Sequence, residues 1–174
     1  QGMALKVAPF AYTELDDLLV GSSDKNILLL LLDGIQDPHN LGALIRTAAC
    51  AGAGGVVIPK DRACGITATA EKSSAGAVET VPVVRVVNLT KAIDVLKRNG
   101  FWVYGLEGGA RQSLYDVRFS GNVALVVGSE GEGIRPLVAR QCDQMMSIPL
   151  YGGVGSLNAS VAGGIALFEA ARGL

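Results

Sequence analysis

The sequence predicts an α/β fold, a mainly parallel sheet flanked by helices, and two observations carry that prediction. Short apolar runs recur at residues 27–32, 55–58, 83–87, 101–106, 123–127 and 145–148. Continuous runs of this length mark strands buried on both faces, as happens when helices cover both sides of a parallel sheet. Helical stretches at about 38–52, 67–76, 89–99, 134–141 and 157–172 lie between and after those runs, and the alternation is the α/β pattern.

Residues 1–25 show no periodicity and close on Gly21-Ser22-Ser23-Asp24, so they read as a linker or arm. The domain proper is expected over 26–174. After the first strand, Asp37 suits a helix N-cap and Pro38 the first helical position. Leu41, Leu44, Ile45 and Ala48 then form a buried stripe at i, i+3, i+4, i+7. Arg46 lies off that stripe, on a face with Gly42 and Ala49. A glycine inside a helix costs about 0.5–1 kcal/mol relative to alanine, so Gly42 implies that something approaches this face closely. In the last helix Leu157, Val161, Ile165 and Phe168 make an apolar stripe, and Ala159, Ala162, Gly163, Ala166 and Ala170 a small-residue surface. We expect that small surface at a helix–helix contact across a dimer, packing on the chain's own sheet being the alternative.

Composition narrows the function. With 174 residues, 49% of them apolar, the chain suffices for one α/β domain with a sizeable core. No apolar run approaches the roughly 18–20 residues of a membrane span, and no secretory signal is visible, so the cytoplasm is the expected compartment. Cys50, Cys64 and Cys142 are odd in number and form no C-x-x-C pair, which argues against a disulfide framework and a metal cage alike. The formal net charge is −1. A domain that grips RNA unaided usually carries a basic face, so either the ligand is small or another domain or subunit supplies much of the grip.

Three segments carry candidate chemistry. The first is Asp33-Gly34-Ile35-Gln36-Asp37-Pro38-His39-Asn40-Leu41-Gly42-Ala43-Leu44-Ile45-Arg46. The second, Gly128-Ser129-Glu130-Gly131-Glu132-Gly133, follows the fifth strand directly. The third is Ile148-Pro149-Leu150, a glycine-rich loop at Gly152, Gly153 and Gly155, then Ser156-Leu157-Asn158-Ala159-Ser160 opening the last helix. Loops at the C-terminal ends of parallel strands are where α/β folds bind ligands. The glycine spacing matches neither a dinucleotide fingerprint nor a phosphate-binding Walker loop, which weighs against a nicotinamide-dependent oxidoreductase. The acidic residues suit a cationic ligand, such as a sulfonium, better than a phosphate.

Taken together, in this order and spacing, the three blocks resemble the SpoU, or TrmH-like, family of RNA ribose methyltransferases within the SPOUT superfamily, over about residues 27–172. Within the family the likeness runs to the bacterial enzymes that methylate a guanosine ribose of large-subunit ribosomal RNA. Alternatives inside the same likeness are a transfer RNA ribose methyltransferase and a non-catalytic RNA-binding relative. The resemblance implies a C-terminal trefoil knot, which general topology rules would not suggest. It implies S-adenosylmethionine as cofactor, S-adenosylhomocysteine as product and no metal. It implies RNA as partner, a homodimer, and a small RNA-binding domain ahead of an arm like residues 1–25, consistent with a chain that opens at Gln1-Gly2 rather than at an initiator methionine.

By position, the resemblance assigns cofactor contacts to Leu106, Glu107, Gly108, Gly128, Ser129, Glu130, Gly131, Gly133, Ile148, Leu150, Ser156 and Leu157. It assigns the catalytic site to Arg46, Asn40, Glu130, Ser156 and Asn158. Arg46 matches the family's essential arginine. A guanidinium titrates above about 12 and is a poor general base, so its expected role is to orient the substrate's ribose-phosphate. Glu130 is expected to orient an asparagine or arginine across the site. His39, the sole histidine, is expected to be structural. Lys60, Arg62, Lys72, Arg111 and Arg135 are candidate RNA-phosphate contacts.

Overall fold

A computed structural model describes residues 10–20 and 26–174. The elements run β1 (Leu28–Asp33), α1 (Pro38–Cys50), β2 (Gly55–Pro59), α2 (Ala68–Ser74), β3 (Val83–Val86), α3 (Leu89–Arg98), β4 (Phe101–Leu106), β5 (Gln112–Ser113), β6 (Asn122–Gly128), α4 (Pro136–Ala139), β7 (Gln144–Ser147) and α5 (Ala159–Gly173). Among the described residues the strands form one sheet, ordered β3-β2-β1-β6-β4-β7-β5. Every neighbouring pair is parallel. The expected α/β architecture holds. β6 slots between β1 and β4, and β7 between β4 and β5, so the last third of the chain is woven into strands laid down earlier.

The leucine run explains the centre of the sheet. All six β1 residues are buried. Leu28, Leu30 and Leu32 pack with α1, α2 and α5, while Leu29 and Leu31 pack with α3 and α4. Strand alternation thus sends one run into two cores. α1 starts as expected, with Asp37 accepting from the His39 amide at 2.9 Å and Pro38 at its first position, and its stripe Leu41, Leu44, Ile45 and Ala48 is buried.

The close approach announced by Gly42 is α2. A Cβ at Gly42 would stand 2.5 Å from both the Ala70 carbonyl oxygen and the Ser73 Cβ. The small face of α5 is likewise used inside the chain: Ala159, Gly163, Ala166, Leu167 and Ala170 are its buried residues. A Cβ at Gly163 would lie 2.4 Å from a Leu44 methyl carbon. The expected apolar stripe is therefore corrected. Val161 is 50% and Phe168 53% exposed. Facing inward are Ala159, Gly163, Ala166 and Ala170 together with the larger Leu167, which is 0% exposed.

Part of the N-terminal arm is docked. Thr13 forms a parallel bridge to Val84, its amide donating to the Val83 carbonyl at 2.9 Å. The Tyr12 hydroxyl accepts from the Ile66 amide at 2.9 Å, and Arg85 lies over the Tyr12 ring. Leu18 is buried against Gly55, where a Cβ would meet its methyl at 2.8 Å. Residues 1–9 and 21–25 of the expected arm lie outside the described residues. No described helix is long and apolar enough to cross a membrane.

Candidate functional site

Three loop ends meet at Glu130. Asn40, in the first turn of α1, donates its Nδ2 to Glu130 Oε1. Asn158, at the head of α5, donates to the same Oε1 at 2.8 Å and to Asn40 Oδ1 at 3.1 Å. The Asn158 side chain works at both ends, since its Oδ1 accepts from the Ser160 amide at 2.9 Å and so caps α5. A residue spent on helix capping is pinned in orientation, and its amide nitrogen is left facing Glu130. Glu130 thus accepts from both asparagines, and within the chain it forms no ion pair or hydrogen bond with Arg46.

Beside this cluster lies a cavity of about 280 Å³. Leu106, Glu107 and Gly108 form one wall, at the end of β4. Gly128, Ser129, Glu130, Gly131 and Gly133 form the second, at the end of β6. Ile148, Leu150, Ser156 and Leu157 form the third, after β7. The three segments expected to share a ligand thus surround one space at the C-terminal edge of the sheet. Val127, Glu132, Gly155, Ala159 and Ala162 line it as well. Those five went unassigned by motif position, although four of them stand within or beside the quoted blocks.

The second wall is a closed loop. Ser129 and Gly133 exchange backbone hydrogen bonds of 3.2 and 2.9 Å, and Gly133 has the positive φ of 66° that glycine tolerates. A Cβ on Gly128 would stand 2.0 Å from the Gly133 carbonyl carbon. The base of the loop is tied to β1. The Asp33 carboxylate, 1% exposed, accepts from the Arg135 amide and from its Nε, both at 2.8 Å, and pairs with the guanidinium at 2.5 Å. Arg135, expected among the phosphate contacts, is thus held by a buried carboxylate. The function of Asp33 was missed, although an acid ending a run of five leucines was the available signal. On the first wall, the Glu107 amide donates to the Met146 carbonyl at 2.9 Å and prolongs the β4–β7 pairing.

Not every expected site residue joins the cluster. Arg46 is exposed on α1, six residues beyond Asn40, and contacts none of Asn40, Glu130 or Asn158; it makes no hydrogen bond or ion pair with any described residue. Ser156 is exposed on the cavity wall, two residues before the Asn158 cap of α5. His39 Nδ1 meets the Ser73 hydroxyl at 3.1 Å, across the α1–α2 contact, in keeping with a structural role. The three cysteines are free. No group of three or more potential metal ligands occurs among the described residues.

A family model for the SpoU rRNA methylase family matches residues 27–168. The chain belongs to that family. Its trefoil knot is implied by this membership, and the insertion of β6 and β7 between earlier strands is in keeping with it. Over 99% of its length the chain is 49% identical to the 23S rRNA (guanosine-2'-O-)-methyltransferase RlmB of Xylella fastidiosa, of which it spans 70%. It is equally similar to the RlmB of Photobacterium profundum, spanning 71% of that protein. Among solved structures, the SpoU methyltransferase AviRb from Streptomyces viridochromogenes in complex with AdoMet superposes with a TM-score of 0.85 at 27% identity. That match covers 93% of this chain and 65% of AviRb. The AdoMet-bound rRNA methyltransferase from Sinorhizobium meliloti also gives 0.85, at 30% identity, covering 94% of this chain and 62% of its own.

Proposed function

We propose that this chain catalyses transfer of the methyl group of S-adenosylmethionine to the 2′-hydroxyl of a guanosine in 23S ribosomal RNA, in the cytoplasm. The observation that carries the reading is the meeting of Asn40, Glu130 and Asn158 beside a cavity walled by three glycine-bearing loops. The naming of the RlmB relatives supports the substrate.

The cavity suits the cofactor chemically. Leu106, Ile148, Leu150 and Leu157 offer apolar surface to an adenine ring. At Gly108, Gly131 and Gly155 a Cβ would enter empty space, so these positions keep room and bare backbone for a ligand. Glu107 and Glu130 bring carboxylates to a wall that would face a sulfonium. Bound there, S-adenosylmethionine would supply an electrophilic methyl group, with S-adenosylhomocysteine as the leaving group. The residues of the chain position the acceptor. Asn40 and Asn158, locked by Glu130, hold the ribose, and Arg46 orients the adjoining phosphate. The hydroxyl proton passes to that phosphate or a neighbouring acceptor, since a guanidinium is a poor base. Holding two reactants in attack geometry lowers a barrier by about 7–11 kcal/mol in ideal cases.

The working unit in this reading is a homodimer. Arg46 stands on the outer face of α1, away from the Glu130 cluster, and α5 beside it exposes Val161 and Phe168. A second copy laid on that face covers the apolar pair and brings an Arg46 to each site. The decisive experiment is labelled methyl transfer to unmodified 23S RNA by the unaltered chain and by Arg46→Ala. The variant is expected to fold, dimerise and bind cofactor yet lose most activity; full turnover by the variant would contradict the assignment.

A further inference from the structure

A second cleft lies on the other side of the loop 129–133. It measures about 590 Å³ and runs between that loop and residues 34–37, with Arg62 at its margin. Ser129, Glu130, Gly131, Glu132 and Gly133 line both this cleft and the cavity described above. Glu130 therefore faces two spaces. In any nucleotide the base is attached to the ribose carbon adjacent to the one carrying the 2′-hydroxyl. If that hydroxyl reacts at Glu130, the base must lie within a short reach of the same loop, and the second cleft is the space there with room for a purine.

Six charged residues line the cleft: Asp33, Asp37, Arg62, Glu130, Glu132 and Arg135. Asp37 accepts from the His39 amide and Glu130 from the two asparagines. Arg135 is neutralised by Asp33 at its floor. Arg62 and Glu132 line the same cleft, yet neither forms a hydrogen bond or ion pair with any described residue. Arg62 is also held at φ 58°, a left-handed conformation uncommon outside glycine. Strained backbone of this kind clusters at ligand-binding positions. A free guanidinium and a free carboxylate around one space with room for a purine match guanine. Its O6 and N7 accept a forked pair from arginine, while its N1–H and N2 amine offer two donors to a carboxylate. Adenine, with an N6 amine and an unprotonated N1, reverses part of that pattern. Splayed-out bases of single-stranded RNA are read on these two edges.

We propose that this cleft is the guanine-reading site, with Glu132 accepting from N1–H and the N2 amine and Arg62 donating to O6 and N7. The proposal rests on the methyltransferase reading above and adds to it the residues that select the base. It is tested by titrating the chain, saturated with S-adenosylhomocysteine, with the 5′-monophosphates of guanosine, inosine and adenosine, followed by NMR. Guanosine monophosphate is expected to bind about tenfold more tightly than the other two, the order of one paired edge. Inosine lacks only the N2 amine, so Glu132→Gln should bring guanosine and inosine monophosphates to equal affinity. Arg62→Ala should weaken guanosine monophosphate about tenfold and leave S-adenosylhomocysteine affinity unchanged. No saturable shift with guanosine monophosphate, equal affinities on the unaltered chain, or a guanosine preference that survives Glu132→Gln would each overturn the proposal. Failure of the methyltransferase reading shows differently, as absence of S-adenosylhomocysteine binding together with no label transfer to RNA.

Discussion

Asp33 and Arg135 clamp the glutamate-bearing loop at its base. In the β1–β6 ladder Asp33 is the partner of Gly128, where the loop begins. Its carboxylate takes the amide and guanidinium of Arg135, just after the loop ends. Removing the arginine strands a buried carboxylate, whereas removing the acid frees a side chain that is 34% exposed. Arg135→Ala is therefore expected to cost about 3 kcal/mol of stability, and Asp33→Asn clearly less. Urea denaturation of both variants checks the order; equal losses would show that the clamp is not governed by the buried charge.

The loop itself makes a sharper contrast between two glycines. At Gly128 a Cβ would collide with backbone at 2.0 Å, while at Gly131 nothing lies within 4 Å. Gly128→Ala should displace the loop, lower stability and abolish cofactor binding. Gly131→Ala should leave the unfolding midpoint unchanged, so any loss of cofactor affinity there reports on the cavity. Calorimetry and thermal unfolding of the two proteins side by side read this out. Equal behaviour would mean the loop is free to rearrange.

Much of this was legible in the sequence for a physical reason. The runs of buried aliphatics marked six of the seven strands, because a parallel sheet covered on both faces has no polar side to break the pattern. β5 went unseen, being two half-buried polar residues, Gln112 and Ser113, held only by pairing with β7. Along α5 apolarity does not track burial: Gly163 sits over Leu44 and Leu167 is buried beside it, while Val161 and Phe168 are turned out. For the site, the blocks announced Asn40, Glu130 and Asn158, but not that Glu130 joins both asparagines. That link depends on loop ends separated by 90 and 28 residues, and no local rule speaks to it. The Asp33–Arg135 clamp spans 102 residues and was invisible for the same reason.

Asn158 separates folding from chemistry. Its Oδ1 caps α5 while its Nδ2 serves Glu130 and Asn40. Asn158→Ser keeps a capping oxygen but cannot reach the cluster, whereas Asn158→Ala loses both and should cost about 1 kcal/mol. Methyl transfer should fall in the two variants alike, on the order of 100-fold, the loss that a misplaced reactant brings. If Asn158→Ser retained full activity, the asparagine would be a helix cap and nothing more.

Cys142 provides a pH signature independent of the site. Burial, reinforced by nearby Asp143, pushes its thiol from an ordinary 9.0 up to about 12, against a smaller opposing effect of Lys97. In the unfolded chain the thiol ionises first, so between pH 9 and 12 the unfolded state releases a proton that the folded state keeps. Stability from this group is whole below pH 9 and is lost as pH rises through that window. Cys142→Ala should flatten the alkaline limb of urea midpoint against pH. An unaltered slope would place the thiol within reach of water.

If the three loops around Glu130 form one cofactor site, calorimetric titration with S-adenosylhomocysteine will show it. The unaltered chain should bind close to one equivalent per chain. Leu157→Glu, on the third wall of the cavity, should keep its unfolding temperature and lose that binding. No binding by the folded, unaltered chain, or undiminished binding by Leu157→Glu, would contradict the account.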